Sequence, residues 1–218
     1  MFHVKVIVPD HLVLAANDLE SGAAWLEHSL GVALSPGGRH GRMGTHNRLL
    51  SLGQDFYLEL IAIDPLALPP GRPRWFGLDA LATRPTDRPR FIHWVARSDD
   101  ILGDAGASTE ALGDILPMER GDYRWRITVP PDGHLPGDGL VPTLIQWDVP
   151  AHPVARLPDR GCRLMKLEGF HPRPARIKAA LAALGLASRL DVHPCADEDE
   201  AAQLVAYVRT PNGLVELD

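Results

Sequence analysis

Two histidines and a glutamate lie in segments whose apolar residues predict strands. His11 opens the segment DHLVLAANDL, Glu59 lies in the middle of FYLELIAI, and His93 follows the first residue of IHWVARSDDI. A carboxylate in an apolar strand must point outward, be protonated or meet a cation, because burying an unpaired charge is costly. Since strand side chains alternate between two faces, His11 has a defined face, and its pairing with Glu59 favours the cation.

Two imidazoles and one carboxylate form a ligand set that suits Fe(II), Mn(II), Ni(II) or Zn(II). The sequence therefore predicts a divalent metal held by His11, Glu59 and His93, with Gln146 as a fourth and weaker oxygen ligand. Taken alone, a histidine at the start of a strand is more often a structural residue whose hydrogen bonds are satisfied than a metal ligand. The metal hypothesis gains weight from the repetition of the segment, because His93 follows His11 at the same offset that relates their neighbours.

A short polar segment, GGRHGRMGTHNR, lies between two apolar elements and concentrates hydrogen-bonding side chains. One interpretation is a solvated loop, since loops are polar by default. The other is that it lines a cavity, with an arginine anchoring a carboxylate and an amide orienting a substrate oxygen. The residues predicted to bind substrate are Arg39, His40, Thr45, Asn47 and Arg48. His46, together with Glu59, is predicted to take part in proton transfer.

The elements that position these residues form a repeated unit. Residues 7–62 predict a strand, a helix and three further strands, with Asn17 and Glu20 as a capping box and Gly31 as the C-terminal cap. Six prolines in residues 64–90 predict a linker with one short helix.

The same order of elements is predicted again over residues 90–148, where Gln146 takes the place of Glu59. A weaker third copy follows at 163–218. Such a duplication usually means that one supersecondary unit is used twice to build one sheet. The sequence thus predicts an α+β fold with a first domain at 1–150 and a third, module-like extension at 151–218.

Composition excludes several functions. A net charge of -6 without a basic cluster argues against nucleic acid, and no apolar run is long enough to span a membrane. The N-terminus lacks the features of a signal peptide, so a cytoplasmic location is expected.

Cys162 and Cys195 are far apart and are expected to be free thiols. Motifs of hydrolases, NTPases, Rossmann enzymes and zincins are missing from the sequence.

The segment DHLVLAANDLESGAAWLEHSLGV, followed by YLELIAIDP, resembles the vicinal oxygen chelate superfamily, and SPGGRHGRMGTHNRLLSLG is similar to its glyoxalase-like domain family. The resemblance covers residues 7–150. It implies tandem βαβββ modules that form a curved mixed sheet around a central cavity, with metal ligands at His11, Glu59, His93 and Gln146.

By the same resemblance, the chain is expected to be an enzyme of lyase, isomerase or dioxygenase type that acts on a small oxygen-rich or anionic metabolite. The alternative is a metal-free binding or drug-sequestering protein of the bleomycin-resistance type. The third unit is extra to the usual pair of modules. It is expected either to complete the sheet or to make the contact of a homodimer.

Overall fold

The computed structural model describes residues 7–197 and 199–218, in which twelve strands form two sheets. The strands of the first sheet are β1 (Val8–Ala15), β2 (Ser35–His40), β3 (Thr45–Ser51), β4 (Tyr57–Ile63), β5 (Arg90–Arg97), β6 (Asp114–Arg120), β7 (Tyr123–Val129) and β8 (Thr143–Trp147). Those of the second are β9 (Arg163–His171), β10 (Asp191–Pro194), β11 (Gln203–Thr210) and β12 (Gly213–Leu217). The helices are α1 (Leu19–Leu30), α2 (Leu78–Ala82), α3 (Ile101–Ala107) and α4 (Pro174–Ala183).

The first sheet has the order β2-β3-β4-β1-β5-β8-β7-β6, in which the two halves mirror one another. At its centre β1 and β5 are antiparallel, with Leu12 opposite Trp94 and Val13 opposite His93. The spacing of 82 residues that relates His11 to His93 also relates Leu12 to Trp94, so a pseudo-twofold axis passes through this pair. The predicted α+β fold of two βαβββ modules in one curved sheet is confirmed.

Helix α1 begins one residue later than the sequence predicts. Asp18, rather than Asn17, is its N-cap, because the Asp18 carboxylate accepts a hydrogen bond from the Ser21 N–H at 2.9 Å. The Asn17 amide instead donates to a backbone carbonyl of the linker, and Glu20 pairs with an arginine of β3. Gly31 forms the predicted C-terminal cap with a φ of 69°, a conformation that glycine adopts without strain.

Strand alternation separates two buried clusters on the faces of the first sheet. Leu12 and Leu14 point to the outer face, where α1 packs, whereas Val13 points to the inner face. The proline-rich linker crosses the inner face. Its short 3-10 turn at Trp75–Gly77, which precedes α2, places two aromatic rings in the inner cluster.

The third unit repeats the order strand, helix and three strands, but it forms a separate sheet with the order β10-β9-β11-β12. Its buried residues, such as Leu181 and Val208, join the same apolar cluster as the outer face of the first sheet. The third unit therefore does not complete the first sheet. Its role in a homodimer, and the domain boundary at residue 150, stay predictions. Within the described residues, no helix has the length and apolar character needed to cross a membrane.

We expect the replacement Asp18→Ala to lower the free energy of unfolding by about 1 kcal/mol, because it removes the oxygen that caps α1. Urea denaturation followed by circular dichroism measures the change. Asp55→Ala, at an exposed turn position, is the matched control and is expected to change stability by less than about 0.5 kcal/mol. Equal losses in both variants would contradict the assigned cap.

Candidate functional site

The inner face of the first sheet encloses a cavity of about 20 Å³, which is room for roughly one water molecule. Aromatic rings and a few polar side chains form its wall. The lining residues are His11, His40, Asn47, Tyr57, Glu59, Trp75, Phe76, Arg120, Trp125, Ile127, Ile145 and Trp147. Both modules and the linker contribute to this wall, so the folding of the whole first sheet is needed to assemble it.

His11 and Glu59 meet in this cavity. Val13 of β1 is opposite Glu59 of the parallel neighbour β4, so both polar side chains point to the inner face. The His11 Nε2 atom lies 3.6 Å from Glu59 Oε2, and both side chains are buried. The other carboxylate oxygen accepts a hydrogen bond from the Asn47 amide, and Tyr57 stacks on the imidazole with ring centres 4.5 Å apart. These contacts fix the two groups facing one another.

Asp10, a fully buried carboxylate, orients His11 from behind. It accepts hydrogen bonds from His11 Nδ1 at 2.7 Å, from Trp147 Nε1 at 3.0 Å and from His152 Nε2 at 3.0 Å. Burial by itself raises the pKa of Asp10, but the hydrogen bonds from His11 and His152 outweigh burial and hold that pKa well below its usual range. An ionised carboxylate only accepts, so the proton of His11 stays on Nδ1 and Nε2 faces Glu59.

Arg120 brings a positive charge to the cavity from the far edge of the sheet. It is the last residue of β6, yet its guanidinium donates to Asn47 Oδ1 at 3.1 Å and to His40 Nε2 at 3.3 Å. Its side chain passes over Gly38, where an added Cβ would lie 2.6 Å from Arg120 Cδ. Burial first, and then the charge of Arg120, lowers the pKa of His40 to about 3. His40 is therefore neutral, and its Nδ1 contacts the Thr45 hydroxyl at 3.1 Å.

His93 and Thr143 occupy the positions in the second module that correspond to His11 and Glu59, and they bond directly to one another. The register places Thr143 opposite Val95, the position that corresponds to Glu59 opposite Val13. His93 Nε2 lies 3.0 Å from the Thr143 hydroxyl and accepts from the Thr143 N–H, while Nδ1 donates to a backbone carbonyl at 2.9 Å. Burial lowers the pKa of His93 to about 4. Both ring nitrogens are thus engaged within the protein.

Gln146 lies outside the cavity. The sequence prediction that it takes the place of Glu59 in the second module is therefore wrong. Its Oε1 accepts from the Ile101 N–H at 3.0 Å, and its Nε2 donates to the Asp99 carbonyl at 3.0 Å. The side chain therefore ties the first turn of α3 to β8. The structural position of Glu59 in the second module belongs to Thr143 instead.

The polar segment of β2 and β3 is divided between the two faces. His40, Thr45 and Asn47 are on the inner side, as hydrogen bonds to the cavity residues show. The alternation of β3 directs His46 and Arg48 to the other face, where Arg48 pairs with Glu20 at 2.5 Å. The remaining predicted residue, Arg39, is 61% exposed and pairs with Asp64 at 3.4 Å. Arg39, His46 and Arg48 are therefore not brought to the cavity.

The donor set of the cavity does not fit a divalent transition metal. A protein site for such a metal normally supplies three or four nitrogen, oxygen or sulfur ligands. Only His11 and Glu59 face one another with ligating atoms, and no group of three His, Cys, Asp or Glu side chains suited to a metal occurs in residues 7–197 and 199–218. The guanidinium of Arg120 on the same wall further disfavours a cation.

Three contributions were not predicted from the sequence. Asp10 directly precedes His11, and a carboxylate beside a candidate histidine is a signal that would have found it. Arg120 gives no local signal, because it reaches the cavity across the seam between the two edges of the sheet. Phe76 comes from the linker, whose prolines predict irregular backbone but not its position.

A family model and several solved structures match the chain. The model of the glyoxalase-like domain family matches residues 10–185. The crystal structure of a hypothetical protein from Staphylococcus aureus has a TM-score of 0.58 at 13% identity and covers 98% of this chain and 86% of that one. Methylmalonyl-CoA epimerase from Mycobacterium tuberculosis has a TM-score of 0.44 at 18% identity, covering 67% of this chain and 91% of that one. No curated protein sequence matches the chain.

Metal titration tests the donor set. We expect Zn(II), Ni(II) or Mn(II) at a few equivalents to leave the melting temperature unchanged within about 1 °C, because two facing ligands and a nearby guanidinium give no tight site. Differential scanning fluorimetry of the tag-free protein, with and without a chelator, measures the effect. A metal-dependent rise of several degrees that is lost in Glu59→Gln would show that the site does bind metal.

The buried neutral His93 makes stability depend on pH. Its folded pKa of about 4 lies below the ordinary value of 6.5, so between these values the unfolded chain binds more protons. Stability contributed by a neutral His93 is present above pH 6.5 and falls by up to about 1.4 kcal/mol per pH unit toward pH 4. We expect His93→Gln to reduce this slope in urea denaturation series, with the buried neutral His40 supplying the remainder, whereas the exposed control His28→Gln keeps it. An unchanged slope in His93→Gln would contradict the assignment.

Proposed function

The chain belongs to the glyoxalase-like domain family, and from this premise we propose that its cavity transfers a proton on a small anionic or oxygen-rich metabolite without a metal. The observation that carries the proposal is the pair of His11 Nε2 and Glu59 Oε2, held 3.6 Å apart in a buried cavity. At this distance the two atoms do not form a close hydrogen bond with one another. No heavy atom fits between two atoms at this separation, so a substrate atom must reach both from the cavity side. Because the cavity has room for only about one water molecule, the reacting end of the substrate alone enters it.

An imidazole and a carboxylate that face one another can supply both an acid and a base to one substrate. The member that carries the proton acts as the general acid, and the other acts as the general base. Asp10 keeps the imidazole in one tautomer and orientation, and the Asn47 amide does the same for the carboxylate. Such an arrangement suits a lyase or isomerase that removes a proton from one atom of a substrate and returns it to another.

Arg120 supplies the electrostatic part of the reaction. Removing a proton next to a carbonyl creates an enediolate-like or oxyanion charge, which fixed positive donors stabilise before the reaction begins. The guanidinium is already held by Asn47 and His40, so it need not reorganise. A dioxygenase reaction fits less well, because iron sites of that kind use two histidines and a carboxylate with open positions, and His93 is engaged elsewhere.

The alternative is a metal-free binding protein, which the aromatic wall favours. Trp75, Trp125 and Trp147 line the cavity and suit the retention of a planar or apolar ligand. A binding pocket has no need of a buried carboxylate that faces a histidine, since both groups cost free energy to bury. The pair therefore favours catalysis.

Deuterium exchange distinguishes the two functions. A panel of small 2-oxo, 2-hydroxy and dicarboxylic acids is incubated with the protein in D2O and a chelator, and proton NMR follows loss of C–H signals or product formation. We expect turnover of at least one acid by the wild type and a decrease of about 100-fold or more in Glu59→Gln, because general base catalysis contributes on that order.

Glu119→Gln is the matched control, since this carboxylate is 76% exposed on β6. It is expected to retain the wild-type rate. Turnover that requires an added metal would refute the metal-independent reaction. An acid that binds with saturable affinity but shows neither exchange nor product would favour the binding protein.

A further inference from the structure

A second and more open cavity adjoins the inner one. This outer groove, with a volume of about 620 Å³, lies between the edge strands β2 and β6 and the segment that follows β8. Gly37, Gly38 and Arg120 line it on one side, and Arg156 and Arg160 line it on the other. Arg120 also lines the inner cavity, so its guanidinium stands where the two spaces meet.

The outer groove carries an excess of positive charge. Its three arginines face one carboxylate, Asp122, which is 84% exposed and lies 3.6 Å from Arg156. In the part of the chain that the structure describes, no ion pair links Arg120 or Arg160 to an Asp or Glu within 4.0 Å. Arg120 is half-buried and bonded to two neutral acceptors, so no direct ion pair offsets the partial desolvation of its charge.

Tyr123 holds two of these cations against one ring. The guanidinium carbon of Arg156 lies 5.0 Å from the ring centre and that of Arg120 lies 5.7 Å from it, distances typical of cation–π contacts. Two like charges brought to the same ring repel one another. An anion bound beside them relieves this repulsion, and the planar guanidinium groups suit bidentate contact with a carboxylate or phosphate.

We propose that the outer groove binds a carboxylate or phosphate on an arm of the substrate whose reacting end reaches the inner cavity. This inference rests on the proposed function for the reacting end alone. The guanidinium of Arg120 still has N–H donors beyond the two that His40 and Asn47 use, since the group carries five. The substrate class is therefore an elongated metabolite with an anionic group at the end opposite the bond that reacts.

NMR titration of the full chain with inorganic phosphate, and separately with acetate, tests the anion site. The double variant Arg156→Gln/Arg160→Gln removes two groove charges, and Arg189→Gln/Arg209→Gln removes two exposed charges elsewhere. At constant ionic strength, we expect the groove variant to raise the Kd of at least one probe by about 10-fold or more. The control variant is expected to keep the wild-type Kd.

The two probes separate a phosphate-binding groove from a carboxylate-binding one. If neither probe shifts Arg120 and Gly38 resonances at 50 mM, or if the groove and control variants lose affinity equally, the inference is overturned. The deuterium exchange of the smallest acids in the panel is expected to persist in the groove variant. Failure of the anion site therefore leaves that exchange in place, whereas failure of the proposed function abolishes the difference between wild type and Glu59→Gln.

Discussion

The antiparallel register of β1 and β5 determines which side chains of the two central strands face the cavity. Because side chains alternate, a slip of one residue would turn the inner face of either strand outward. The observed pairing of Val13 with His93, around the axis at Leu12 and Trp94, places His11 and His93 on the inner face. It also sets β4 and β8 as the parallel neighbours of the two central strands. The cavity is built on this pairing, and the linker and Arg120 complete its wall.

The two modules share this strand arrangement, but they carry different residues at one matching position, Glu59 in the first and Thr143 in the second. This difference gives the two halves of the inner face different chemistry. Thr143 offers a hydroxyl and an N–H to His93, and the result is a neutral, closed pair with no group left for a ligand. Glu59 at the matching position brings a carboxylate, whose burial requires further polar partners in Asn47 and His11. The carboxylate therefore keeps one half of the inner face polar, and Arg120 reaches that half from the other module.

The sequence predicts those parts of the site whose position follows from neighbouring residues, and it fails where the position depends on a distant strand. Strand alternation correctly places His11, and the repeat correctly predicts two modules, since both follow from neighbouring residues. The same alternation, applied along β3, would have separated Asn47 from His46 and Arg48. Gln146 was misplaced because the likeness of LIQWD to YLELI does not fix the pairing of β8, which depends on a partner strand far away in the chain.

Asp10 shows why spatial partners escape prediction. Its donors Trp147 and His152 lie 137 and 142 residues along the chain, so the sequence around Asp10 contains no trace of two of the three hydrogen bonds that keep it ionised. Arg120 is a similar case, because its acceptor Asn47 is 73 residues away. The partners of buried charged groups are therefore the part of the site that can be identified only from the folded structure.

The linker covers the cavity with two aromatic rings, and the free energy of this arrangement has unfavourable and favourable contributions. Phe76 has a φ of 57°, a left-handed conformation that costs a non-glycine residue on the order of 1–3 kcal/mol. The neighbouring Trp75 has a buried Nε1 without a hydrogen-bond partner among the described residues, which adds about 1–3 kcal/mol. Burial of the two rings, each only 4% exposed, contributes roughly 2–3 kcal/mol per ring in the opposite direction. These terms nearly cancel, so the linker closes the cavity with little net stabilisation, and the burial of the two rings is what holds the strained turn in place.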